Sequence, residues 1–217
     1  ALQYHDVRLE FEFESASNLA THGRSGDTGL TLSNTTLLVD YIYLDSEERK
    51  RFAQASHEYL IEQLQFTGVE SVSAGASNNI RLNFNHPVKE LVWAVKNSDT
   101  TADYFDFDTT SGNNSVVSAL LQLNGHDRFS RETGKYFNHV QPWQHHTCSP
   151  AVGINVYSFA LKPEEHQPSG TCNFSRIDNA TLNLTLASDC GNNLYIFAVN
   201  YNVLRVMSGM GGVAYSN

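Results

Sequence analysis

This 217-residue chain contains no apolar run of the roughly 18 to 20 residues that a membrane-crossing helix needs. Its first residues also lack the charged, apolar and small-residue zones of a signal peptide. Cysteine is scarce. Cys148, Cys172 and Cys190 are an odd number, and none sits in a Cys-x-x-Cys pair, so neither a disulfide scaffold nor a compact zinc motif is written into the chain. Reduced thiols are the expectation. Positive charge is short too: 14 Lys and Arg stand against 23 Asp and Glu, for a formal net charge of −9. A surface that grips phosphate backbones needs clustered Lys and Arg, so direct nucleic-acid binding is not expected. Ala1 stands where an initiator Met would, directly ahead of a strand pattern, and the chain reads as a piece of a longer polypeptide.

What is present is mostly β pattern. His5, Val7, Leu9, Phe11 and Phe13 alternate with Asp6, Arg8, Glu10, Glu12 and Glu14, which predicts a half-buried strand over the first thirteen residues. Residues 15–35 turn to Ser, Thr, Asn and Gly, the composition of a linker. Leu37 to Leu44 is β-branched, aromatic and nearly continuous in apolar character, which predicts a central strand covered on both faces. One helix is expected near 46–66. Asp45 is its N-cap with Glu48 three residues on, Phe52, Ala55, Tyr59, Leu60 and Leu64 recur at helical spacing, and Gly68 closes it. Strand patterns then return at Ile80 to Phe84, Val88 to Lys96, Val116 to Leu123, Ile154 to Leu161, Ala180 to Leu186 and Leu194 to Met207. Many strands and one helix predict an all-β antiparallel jelly-roll sandwich rather than a parallel α/β sheet. Asn97 to Ser115 and Gly125 to Gly153 are long connections, of the kind that carry interaction surfaces.

No candidate catalytic constellation closes. His57-Glu58 resembles the start of a zinc-protease helix, but that chemistry needs a second His one turn on, where Ile61 stands. Gln141-Pro142-Trp143-Gln144-His145-His146-Thr147-Cys148 is the densest cluster of ligand and aromatic groups and reads as loop packing. An exposed Trp143 beside His145 would also suit sugar stacking, so a carbohydrate-binding β-sandwich is the alternative reading. Asp103, Asp106 and Asp108 lack the Gly and Glu spacing of a calcium loop. They read as a solvated acidic loop, with a hydrolase as a third reading. Sequons occur at Asn34, Asn113, Asn173, Asn179 and Asn183, and Asn183 falls in a strand pattern, a poor place for a glycan. The glycines at 209, 211 and 212 lack the Gly-Lys-Ser/Thr of a phosphate loop and instead allow a tight turn after a long strand. No catalytic, cofactor-binding or metal-binding residue is assigned.

Several stretches, read in order, resemble the major capsid protein of nucleocytoplasmic large DNA viruses of the iridovirus and phycodnavirus kind. They are Ala1-Leu2-Gln3-Tyr4-His5-Asp6-Val7, His57 to Gln65, Gly153 to Leu161, Gln167 to Asp178, and Tyr201-Asn202-Val203-Leu204-Arg205 with the glycine tail. The resemblance implies two jelly rolls in tandem, three subunits per capsomer, a pseudo-hexagonal outline and an icosahedral shell. On it, residues 1–14 are the last strand of a preceding roll, 15–35 the linker, and 36–217 the second roll. The implied partners are further copies of the protein, as homotrimer and neighbouring capsomers, together with minor capsid proteins. A viral membrane would lie beneath the shell without being inserted into, and assembly would occur in the host cytoplasm. The resemblance brings no enzyme activity and no cofactor.

Overall fold

A computed structural model describes residues 2–13, 33–96 and 107–216. They fall into two compact units, and the chain crosses between them inside two strands, at Ile61/Glu62 and Asn202/Val203. The larger unit holds the core. Its strands include β3 (Ser77–Arg81), β4 (Pro87–Lys96), β5 (Val116–Leu123), β8 (Ile154–Ser158) and β10 (Ala180–Leu186). Two longer strands, β1 (His57–Phe66) and β11 (Asn193–Met207), run through the unit boundary. One sheet runs β1-β11-β4-β8, with the short β2 (Glu70–Ser71) and β12 (Met210–Val213) also on β11 and β9 (Cys172–Asn173) on β4. The other runs β3-β10-β5-β6, with β6 at His126–Asp127 and β7 (Glu132–Thr133) also on β5. The β10 ladders with β3 and β5 and the β11 ladder with β4 are antiparallel, as expected for a jelly roll.

Side-chain period explains the sandwich. In β10, Ala180, Leu182, Leu184 and Leu186 are buried, while Thr181, Asn183 and Thr185 face outward. Leu194, Ile196 and Ala198 of β11 and Val88, Leu91, Trp93 and Val95 of β4 close on the same core. Each central pairing carries one irregularity. Lys89 is the extra residue where β4 meets β11, and Val117 where β5 meets β10. The first lets Val88 and Leu91 both enter the core despite their odd spacing.

The helix is present but shorter than its pattern predicts. Helix α1 spans Ser46–Gln54 and begins with a capping box: the Asp45 carboxylate accepts from Glu48 N at 2.8 Å, and Glu48 accepts from Asp45 N at 3.3 Å. It buries no side chain, so it has no tertiary reason to continue. From His57 the chain is strand β1, although Tyr59, Leu60 and Leu64 keep helical spacing. Long-range contacts override the local period. Gln65 bonds the backbone N and O of Asn85, and Phe66 stacks on Tyr195 and Phe197 at 5.9 and 4.8 Å. Gly68, at φ +109, therefore ends a strand rather than a helix.

In the smaller unit, residues 5–13 and 33–44 belong to no ladder. The expected central strand at Leu37 to Leu44 is not formed: Leu38 is 92% and Ile42 88% exposed, because among the described residues no strand pairs with it on either side. Val7, Leu9, Phe11 and Phe13 keep their alternation but are likewise exposed. The glycine-rich end is ordered as expected, with Ser208 (φ +52) and Gly209 (φ +76) making a two-residue turn between β11 and β12.

Candidate functional site

The segment 125–153 is not the plain loop its composition suggests. After β7 it forms a π-helical turn, Tyr136–Val140, followed by helix α2, Gln141–His145. Phe137 is fully buried, 5.2 Å from the Trp93 ring and 5.4 Å from Phe129. Asn138 donates to Ala151 O at 2.9 Å and Ile154 O at 2.7 Å, and Gln141 accepts from Ser158 N at 3.1 Å. These bonds satisfy buried polar groups and seat the turn rigidly on the sandwich. Its opposite side carries Trp143, which is 80% exposed. The His145 ring bonds Leu161 O at 3.0 Å, which brings an exposed Leu161 beside this helix. Trp143 is thus an exposed tryptophan on a seated turn, a residue type enriched where proteins meet.

A second set of polar contacts ties the turn Lys162 to Gly170 to the sheet. Lys89 is 3% exposed, yet its ammonium lies 2.7 Å from the Glu62 carboxylate, donates to Pro163 O at 2.6 Å, and sits 5.5 Å above the Tyr201 ring. A buried charge persists only when so satisfied. Burial raises the Tyr201 hydroxyl pKa and nearby Lys89 opposes that shift. Alongside, His146 Nε2 meets Glu90 at 2.8 Å, and Glu164 accepts from Thr147 N at 3.0 Å. Lys89, Glu90 and Glu62 form no motif in the sequence, because the groups that enclose Lys89, namely Glu62, Pro163 O and Tyr201, lie far from it along the chain. A charged pair inside an otherwise apolar strand, Val88-Lys89-Glu90-Leu91, was the available signal.

The structure disperses the remaining candidates. The His57 ring bonds Phe52 O at 2.8 Å and stacks between Phe52 and Tyr59, while Glu58 pairs with Arg205 at 2.6 Å, so the two side chains serve separate contacts. Asp103 and Asp106 lie outside the described residues, and Asp108 bridges Asn114. Cys148 is exposed and free, whereas Cys172 and Cys190 are half-buried thiols whose pKa values are raised by burial. Among the described residues, no group of three or more His, Cys, Asp or Glu side chains is placed to hold a metal. Asn34, Asn113, Asn173 and Asn179 are exposed; Asn183 is half-buried and bonded to Ser77, Asn79 and Arg131.

Two apposed antiparallel sheets with rigid displayed turns are the architecture of viral capsid jelly rolls. The chain belongs to the family described as large eukaryotic DNA virus major capsid protein, whose profile matches residues 48–212. Over its whole length it is 56% identical to the major capsid protein of Pyramimonas orientalis virus and 46% identical to that of Paramecium bursaria Chlorella virus 1. It spans 56% and 62% of those two proteins, so it corresponds to little more than half of each. Among solved structures, a chain of the PBCV-1 virus capsid superposes with a TM-score of 0.71 at 45% identity, covering 82% of this chain and 56% of that one.

Proposed function

We propose that this chain is the second jelly roll of a major capsid protein that forms trimeric, pseudo-hexagonal capsomers tiling an icosahedral shell, and that it catalyses nothing. The observation carrying this reading is likeness to major capsid proteins along the entire chain, at up to 56% identity among the relatives described. Residues 1–14 are then the last strand of the preceding roll, 15–35 the connection, and 36–217 the second roll. The many large apolar side chains left exposed in 5–13 and 33–44 support a covering surface in the intact subunit. Its partners are copies of itself, within the trimer and between capsomers, and minor capsid proteins. Its place is the virion, over an internal membrane it does not enter, after assembly in the host cytoplasm. The excess of acidic residues disfavours direct contact with the genome.

Assembly needs complementary patches on different edges of one molecule. Trp143 with Leu161, and the prolyl turn Lys162 to Gly170, are the surfaces we assign to contacts between copies. The test is the native mass of the intact protein: a trimer is expected, and a monodisperse monomer over a wide concentration range would overturn the reading. Trp143→Ala separates the carbohydrate-binding alternative. Weakened association between copies with no change in glycan binding supports assembly; lost glycan binding by a monomer supports the alternative.

A further inference from the structure

Within the smaller unit, the β11–β12 hairpin holds the beginning of the described chain. Gln3 N and Tyr4 N both donate to Gly209 O at 3.0 Å. The approach is tightest at Gly209, where an added Cβ would meet the base of a side chain, and at Gly211 it would meet the end of the Leu2 side chain. A Cβ at Gly209 would lie 2.8 Å from the Gln3 Cβ, and one at Gly211 would lie 2.7 Å from Leu2 Cδ2. The groove that results is lined by His5, Met207, Met210, Val213 and Arg205, the last held in place by Glu58. Gly212, next along the same strand, differs: a Cβ there would meet nothing within 4 Å.

We propose that this hairpin is a clamp for Leu2-Gln3-Tyr4, in which Gly209 and Gly211 are there to admit that segment and fix its register. Two amides converging on one carbonyl set the position along the chain, and Leu2 over Gly211 sets which face points down. The alternating residues Val7, Leu9, Phe11 and Phe13 then leave the clamp with their face already chosen, since a one-residue slip would turn every side chain to the other side. On the tandem-roll reading, on which this consequence rests, the end of the second roll thus orients the last strand of the first.

The experiment uses the intact protein with three variants, read by amide hydrogen exchange of peptides covering residues 2–8. Neither Gly211 nor Gly212 has a positive φ, so valine is conformationally acceptable in both places. Gly211→Val is expected to speed exchange at Gln3 and Tyr4 by tenfold or more, on the order of the loss of one local closing interaction. Gly212→Val should leave it unchanged. Leu2→Ala combined with Gly211→Val should restore protection, because the obstructing methyl is gone. Normal protection in Gly211→Val, equal loss in Gly212→Val, or no recovery in the double variant would each overturn the clamp. Native mass measured in parallel keeps the two readings apart: an exchange pattern as expected in a protein that never forms trimers leaves the clamp standing and removes the capsomer.

Discussion

Strand β10 and the segment from Val7 to Phe13 carry nearly the same pattern and meet opposite fates. In β10, Ala180, Leu182, Leu184 and Leu186 alternate with Thr and Asn and are at most 2% exposed. In the other, Val7, Leu9, Phe11 and Phe13 alternate with Arg and Glu and are 55–77% exposed. Alternation encodes a two-faced strand, not the partner that covers it. β10 has β3 on one side, β5 on the other and a second sheet against its inner face. Residues 7–13 have no ladder.

The sharpest way to break this comparison is to truncate the same residue type in both places. Leu184→Ala should lose about 2–5 kcal/mol by leaving a cavity in the core. Leu9→Ala in this chain should change stability by no more than about 0.5 kcal/mol. Urea denaturation measures both, and equal costs would mean that residues 7–13 are buried in solution. Next in size is the polar side of the larger unit. Glu62→Ala strands the buried Lys89 ammonium, which for a fully buried pair costs about 3–5 kcal/mol. Glu62 is a third exposed, so roughly 1–3 kcal/mol is expected. A cost indistinguishable from zero would show that water reaches Lys89.

Smaller effects probe the edges. Asp45→Ala removes the cap of a helix that buries nothing, and about 1 kcal/mol should go from α1, seen as faster exchange at Glu48 N. Alkaline pH should give the mildest change. Burial raises the pKa values of Cys172, Cys190 and Tyr157 above those of the unfolded chain. Their neutral forms therefore favour the fold, a contribution that is complete below the unfolded values and fades as pH rises through the folded ones. Melting temperatures should fall from roughly pH 8.5 upward, where an unfolded thiol is about half ionised. Cys172→Ala combined with Cys190→Ala should flatten the first part of that decline.

Legibility followed the range of the determining contacts. β5 and β10 end where their patterns end, because one face of each is filled by residues of a single chemical kind. The start of α1 was readable, since Asp45 and Glu48 bond each other across three residues. Its end was not: Tyr59, Leu60 and Leu64 fit either period, and Asn85, Tyr195 and Phe197, distant in sequence, choose the strand. Helix α2 has no signature in the sequence because five residues containing a proline carry no helical period, and the turn before it is held by Phe137 under Trp93. Trp143 is legible as a residue type, but its exposure depends on Gln141 and Asn138 facing inward. The glycines at 209 and 211 announced a turn, while what passes over them is known only from Leu2 and Gln3 lying there.

By itself, then, the sequence determined an all-β sandwich, the identity of its main core strands and membership in a capsid family, since these rest on local period and on ordered motifs. Tertiary structure alone decided that His57 to Phe66 is a strand, that Lys89 is buried, and that Leu37 to Leu44 pairs with no strand among the described residues. Each of those depends on which surface arrives from elsewhere in the chain, and a residue's own neighbours in sequence carry no record of that arrival.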